Sequence, residues 1–127
     1  MIQKELTRAE EQIMQILWKL EKGYVNDILE AIDDPKPAYT TVSTIVRLLE
    51  SKGFVGHETH GRAHQYYPLI SKSNYRRSTF KQLMVGYFEN NYHTLANFFT
   101  KEEDLTLEQL EEIQRLIDHE IKRKKDG

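Results

Sequence analysis

The segment that most constrains the fold is AYTTVSTIVRLLESKGFV, residues 38–55, in which two periodicities compete. Six of the seven residues from 40 to 46 are β-branched, which is typical of a strand. The large apolar residues nevertheless fall at Val42, Ile45, Val46 and Leu49, the spacing of one helix face, and Gly53 follows them. The spacing therefore predicts a helix over about residues 39–52, in spite of its poor helix formers.

The opposite face of this predicted helix carries short hydroxyl side chains and one arginine. An ordinary surface helix would carry Glu, Lys and Gln there, because those residues are better helix formers. A slim polar face can instead enter a DNA major groove about 12 Å wide, where hydroxyls and an arginine can bond bases or phosphates. The prediction is a DNA-reading helix, and a solvated face without a function is the alternative. The residues of this face that are predicted to contact DNA are Thr40, Ser43, Thr44 and Arg47.

Charge is distributed unevenly along the chain. Residues 36–81 carry eight Lys and Arg against two Glu, a local charge of +6, whereas residues 1–35 and 82–127 each carry −4. The net charge of −2 therefore hides a basic middle segment. A local positive patch matters more to a polyanion than the total charge does, so double-stranded DNA is the predicted partner.

The flanking segments predict the rest of a winged helix-turn-helix domain. A first helix begins at a capping box of Thr7 and Glu10 and ends at Gly23, and a second helix follows near residues 25–32. After the third helix, FVGHE and HQYYPLI read as two strands around the turn THGR. The predicted fold class is mainly α with a small β-hairpin, and residues 1–71 form the predicted DNA-binding domain.

The hairpin supplies two further candidate DNA contacts. Arg62 in the turn is the wing residue expected to reach a phosphate or the minor groove, and His60 lies beside it. His57, His60 and His64 have spacings that a zinc site could use, but no cysteine and no nearby Asp accompanies them. Neither a metal nor a cofactor is predicted.

Residues 72–127 predict amphipathic helices with few partners for their apolar faces. Such faces are hard to bury in a monomer, so the helices are predicted to form a homodimerisation domain. Packing back onto the N-terminal domain is the alternative. The predicted dimerisation residues are Phe80, Leu83, Tyr87, Phe88, Leu110, Ile113, Ile117 and Ile121.

Four blocks of the sequence, in order, resemble the penicillinase and methicillin-resistance repressor family (BlaI/MecI-type). They are LTRAEEQIMQILWK, TTVSTIVRLLESKGFV, QYYPLIS and LANFFTKEEDLTLEQLEEIQRLI, and the similarity covers about residues 5–120. The resemblance implies a dimeric winged-helix repressor of an inverted-repeat operator upstream of resistance or sensor genes. It also implies release of the DNA when a membrane-bound sensor protease leads to cleavage in the dimerisation region.

Single residues can be carried over from the resemblance. Thr41 and Thr44 match threonines of the family's recognition helix, which implies that Thr41 is also a DNA contact. Thr40 and Ser43 stand where the family often has longer side chains. The family's scissile Asn-Phe bond precedes an acidic stretch. An ungapped match places Phe98 and Phe99 at that bond, although the Asn-Phe pair of this chain is Asn97 and Phe98. Copper-sensing relatives use a Cys-x-Cys pair, which this chain lacks.

Other classes of function are less consistent with the sequence. No catalytic constellation stands out, so the chain is predicted not to be an enzyme. No apolar run approaches the roughly 20 residues that cross a bilayer, and the first residues lack a secretory apolar region, so a cytoplasmic protein without membrane insertion is expected. Two alternatives to repression of this type stay open: a winged-helix adaptor that binds proteins, and a ligand-responsive repressor.

Overall fold

The structure is a computed structural model that describes residues 6–102 and 104–127. The order of elements is three helices, a β-hairpin and further helices, which confirms the predicted fold class. The elements are α1 (Arg8–Leu20), α2 (Val25–Glu30), α3 (Tyr39–Ser51), β1 (Val55–His60), β2 (Ala63–Pro68), α4 (Lys72–Phe88), α5 (Tyr92–Asn97), a π-helical turn (Phe98–Glu102) and α6 (Leu107–Asp126).

Helix α1 begins as predicted and ends differently. The Glu10 N–H donates to Thr7 Oγ1 at 3.1 Å and the Thr7 N–H donates to Glu10 Oε1 at 2.8 Å, which is the predicted capping box. The prediction that Gly23 ends the helix is wrong, because Glu21 is the C-cap, with φ 69°. Gly23 instead exchanges backbone hydrogen bonds with Tyr66 of β2, at 2.9 and 2.8 Å, and so attaches the wing to the helices.

Helix α3 buries the predicted apolar face. Val42, Val46 and Leu49 are fully buried in the core, and Ile45 is half-buried against it. Gly53 follows the helix at φ 87°, a conformation that favours glycine. Burial of Val42, Val46 and Leu49, each contributing about 1.5–3 kcal/mol, outweighs the weak helix propensity of the segment.

Strands β1 and β2 pair in antiparallel register from Val55 with Pro68 to His60 with Ala63. The connection is a two-residue turn of Gly61 and Arg62, with Gly61 at φ 65°. The turn is therefore shorter than predicted, since Thr59 and His60 belong to the ladder, and β2 ends at Pro68, before the predicted end of that strand at Ile70.

The chain divides into two compact units, the first ending at Thr79 and the second beginning at Phe80. The division lies inside α4 because Tyr75 belongs to the first unit, where its ring lies 5.6 Å from that of Trp18 and 5.9 Å from that of Phe54. Within the described ranges, no helix is long and apolar enough to cross a membrane.

Candidate nucleic-acid interface

The outer face of α3 is accessible along its length. Thr40, Thr41, Thr44 and Arg47 are exposed, and Ser43 is half-buried. The helix begins at Ala38 without a side-chain cap and without an acidic residue in its first turn. The first turn of α3 itself therefore adds no negative charge that would repel a polyanion.

The wing presents Arg62 at its tip, where the side chain is exposed. His60 already has partners, because its Nε2 lies 3.3 Å from Glu58 Oε2 and its ring meets the edge of Tyr24 at 6.3 Å. Glu58 also lies 3.6 Å from Lys22 Nζ. His60 thus holds the wing beside the start of α2, and Arg62 is the wing cation that faces solvent.

A depression of about 240 Å³ lies where α2, α3 and β2 meet. Of the predicted DNA contacts it brings together Ser43 and Arg62, while the other five do not line it. Its lining is formed by Tyr24, Val25, Asn26, Tyr39, Ser43, Arg62, Ala63, His64 and Tyr66.

Sequence reasoning missed Tyr24, Asn26 and Tyr39 as residues of this face. A signal existed for Tyr39, because it lies four residues before Ser43 and therefore on the same side of the helix. No such signal existed for Tyr24 and Asn26, since only the packing of α2 beside α3 places them there.

A second polar cluster connects the wing to the other end of α3. His57 Nδ1 lies 2.5 Å from Glu50 Oε2, and the His57 ring lies 4.2 Å from that of His64. Burial raises the pKa of the neighbouring Tyr66 hydroxyl, and the charge of Glu50 raises it further. Over residues 6–102 and 104–127, no group of three or more His, Cys, Asp or Glu could hold a metal ion.

The predicted dimerisation residues lie in the second unit, and most of them are exposed to solvent. Phe88, Leu110 and Ile113 are half-buried, while the rest are exposed. Two apolar grooves result. The first, of about 260 Å³, is lined by Tyr92, Leu95, Ala96, Phe99, Thr100, Leu110, Ile113 and Ile117. The second, of about 500 Å³, is lined by Leu83, Tyr87, Phe88, Thr94, Phe98 and Glu102.

The predicted cleavage region lies at the junction of α5 and the π-helical turn. Asn97 is the last residue of α5, Phe98 and Phe99 begin the turn, and all three are exposed. The Phe98 ring meets that of Phe88 at 5.6 Å, and Phe99 lines the first groove. The segment therefore contributes one aromatic side chain to each groove.

Comparison with known proteins supports the same reading of the fold. A family model described as Penicillinase repressor matches residues 6–119. The methicillin resistance regulatory protein MecI of Staphylococcus aureus (strain N315) is 27% identical over 114 residues, covering 89% of this chain and 93% of MecI. The penicillinase repressor of Bacillus licheniformis is 21% identical over 123 residues, covering 96% of each chain.

Among solved structures, the DNA-binding domain of the repressor BlaI matches with a TM-score of 0.50 and 26% identity, covering 57% of this chain and 93% of that domain. The helix order, the wing and this likeness define a winged helix-turn-helix protein followed by C-terminal helices. The chain belongs to the penicillinase repressor family. Membership of a repressor family agrees with the prediction that the chain is not an enzyme.

Proposed function

We propose that the protein represses transcription as a homodimer that places helix α3 of each copy in a major groove of an operator. The general part follows from the family: the chain is a DNA-binding repressor of operators. The observation that carries the rest is that Thr44 and Arg47 are exposed on the outer face of α3 and that Arg62 is exposed at the tip of the wing. Hydroxyls and arginine suit base edges and phosphates.

The proposed DNA contacts divide by chemistry. The α3 side chains lie on the element that enters the groove, so they would read bases, whereas the wing would hold the backbone. A symmetric dimer requires an inverted repeat, with half-sites one or two helical turns apart. The proposed contacts are Thr40, Thr41, Ser43, Thr44, Arg47, His60 and Arg62.

The proposed domains are residues 1–71 for DNA binding and residues 72–127 for dimerisation. The two apolar grooves of the C-terminal helices support dimerisation, and so does the exposure of Ile117, which lines the first groove, and of Ile121, which lies outside both; these residues are 53% and 47% exposed in a single copy. Burying them against a second copy would remove that apolar surface from water.

Release from DNA is proposed to follow cleavage in the segment of Asn97, Phe98 and Phe99, linked to a membrane sensor protease that detects an antibiotic. The segment is exposed and therefore open to a protease. It also supplies Phe98 to one groove and Phe99 to the other. A break there would weaken both parts of the proposed dimer surface.

Selection of bound genomic fragments by the purified protein, at two salt concentrations, tests the proposal. The recovered sites should contain an inverted repeat. If each copy neutralises about three phosphates, log K should fall against log salt with a slope of about −5. Recovery of no preferred site, or a slope near zero, would contradict repression through DNA, and a protein bound in stoichiometric amount instead would favour an adaptor.

A further inference from the structure

Most of the side chains that line the depression between α2, α3 and β2 can donate a hydrogen bond, and Val25 and Ala63 are the apolar exceptions. Tyr24 and Asn26 reach it from α2, and Tyr39 and Ser43 reach it from the start of α3. Each offers an O–H or N–H group. Among the described residues that line the depression, none carries a carboxylate. A group with several acceptor oxygens and no donor, such as a phosphate diester, could therefore bond to several of these side chains.

The wing adds a positive charge. Arg62 lines the depression, and a guanidinium presents several N–H donors in a planar fork that matches the oxygens of a phosphate. His64 lines the same depression, and its Nδ1 lies 3.3 Å from Thr59 Oγ1. Cation and neutral donors therefore converge from three elements of the fold.

Tyr66 supplies an observation of a different kind. Tyr66 is 4% exposed as a residue and lines the depression, and its hydroxyl has no hydrogen-bond partner among the residues that the structure describes. That hydroxyl is therefore free to donate to an acceptor that enters the depression. Burial also raises the pKa of Tyr66, so the hydroxyl keeps its proton and can donate.

We propose that this depression is a phosphate seat that receives one backbone phosphate of the operator in each half-site. Its volume of about 240 Å³ is several times the roughly 30 Å³ share of one water molecule, which leaves room for a phosphate group. Phosphate suits it better than a base edge, because Thr44 and Arg47, on the outer face of α3, do not line it. The inference rests on the proposed function and adds Tyr24, Asn26, Tyr39, His64 and Tyr66 to the interface.

The test uses the full-length protein and a duplex recovered by the binding selection. Each phosphate of the duplex is replaced in turn by a neutral methylphosphonate, and affinity is measured by fluorescence anisotropy. For the wild type, one position in each half-site should weaken binding by about tenfold, the size expected for a charge-assisted contact. At that position the slope of log K against log salt should change by about 0.9 for each phosphate.

Two protein variants test whether the sensitive DNA phosphate is the one that binds in the depression. Asn26→Ala and Tyr39→Phe each remove one donor at an exposed residue, so the fold should survive, which thermal unfolding checks. In both variants, the methylphosphonate at that position should reduce the affinity much less than it does in the wild type. The reason is that the protein substitution and the methylphosphonate remove the same contact. Tyr67→Phe is the matched control, since it removes a hydroxyl from the residue beside Tyr66 that does not line the depression.

The outcomes separate this inference from the proposed function. Tight operator binding with no methylphosphonate position coupled to Asn26 and Tyr39 would overturn the seat and leave the repressor proposal standing. Inorganic phosphate could instead compete with DNA more strongly than chloride does at equal ionic strength, and this competition could be lost in both variants. If at the same time no methylphosphonate position changed the affinity, the depression would bind free phosphate, and the proposal that DNA supplies the phosphate would be overturned. Failure of the selection to recover any preferred duplex would overturn the proposed function, and the seat for operator DNA with it.

Discussion

Lys52 Nζ lies 2.7 Å from Glu10 Oε1 and so joins the C-cap of α3 to the first turn of α1. The Glu10 side chain is 4% exposed, and its carboxylate also accepts the Thr7 N–H. Burial raises the pKa of Glu10, but the hydrogen bonds from Lys52 and Thr7 outweigh burial and hold the pKa below its ordinary value. The pair therefore links the position of α3 to the protonation of one carboxyl group.

Glu10→Gln should lower the free energy of unfolding by about 1–2 kcal/mol at neutral pH. Because the pKa of Glu10 is lower in the folded state, its charge stabilises the fold above the unfolded pKa, and that stability is lost as pH falls through the folded pKa. Urea unfolding of both proteins at neutral pH and at about pH 3 measures the difference, which should shrink in acid. Glu11→Gln, at the exposed neighbour, should change little. An equal difference at both pH values would contradict a role of the charge.

This contact also indicates what sequence reasoning can reach. The capping box of Thr7 and Glu10 spans three residues, so local spacing was sufficient to predict it. Lys52 lies 42 residues from Glu10, and only the packing of α3 on α1 brings the two together. The helix and wing order was therefore predictable from periodicity, whereas ion pairs between elements were not.

In the candidate interface, too, one part could be predicted from the sequence and another part could not. The exposed face of α3 followed from the position of Val42 and its apolar partners, because a helix that buries one stripe must expose the other. The depression could not be predicted, since its donors come from α2, α3 and β2 and no sequence pattern relates Asn26 to Arg62. The wing's contact between His57 and Glu50 was missed for the same reason.

Arg62→Ala should weaken binding to every DNA sequence by a similar factor, about tenfold, because a phosphate contact carries no sequence information. The slope of log K against log salt should fall in magnitude by about 1 for each copy. Titration of the selected operator and of unrelated DNA at several salt concentrations measures both effects. Arg115→Ala removes the same charge from α6 and should leave the slope unchanged. A loss confined to the operator would show that Arg62 reads a base.

Thr44→Ala should lower the preference for the operator over single-base variants by about fivefold. The substitution removes both the hydroxyl and the methyl group with which a threonine can contact base edges. Competition between the operator and a panel of such variants gives the preference directly. Ser51→Ala removes a hydroxyl near the end of the same helix, outside the proposed contacts, and should leave the ranking unchanged. Equal loss of affinity for all sequences would assign Thr44 to the backbone instead.

Ile113→Asp should shift the protein towards monomer and weaken operator binding, because a carboxylate would enter the apolar groove of Tyr92, Leu95 and Ile117. Sedimentation over a range of concentrations measures the dimer, and anisotropy measures the binding. Arg115→Asp places an acid two residues further along α6, at a residue outside both grooves, and should keep the dimer. A monomeric wild type would contradict the proposed dimer outright.

A cut after the π-helical turn should convert the dimer to monomers and release the operator, because it separates the groove residues of α5 from those of α6. A recognition sequence for a site-specific protease inserted between Asp104 and Leu105, where the chain has no regular secondary structure, makes this cut on demand. The uncut protein should bind as the wild type does, and the same sequence appended after Gly127 controls for the protease. If the cut protein stays dimeric and bound, then cleavage near Phe98 cannot be what releases the DNA.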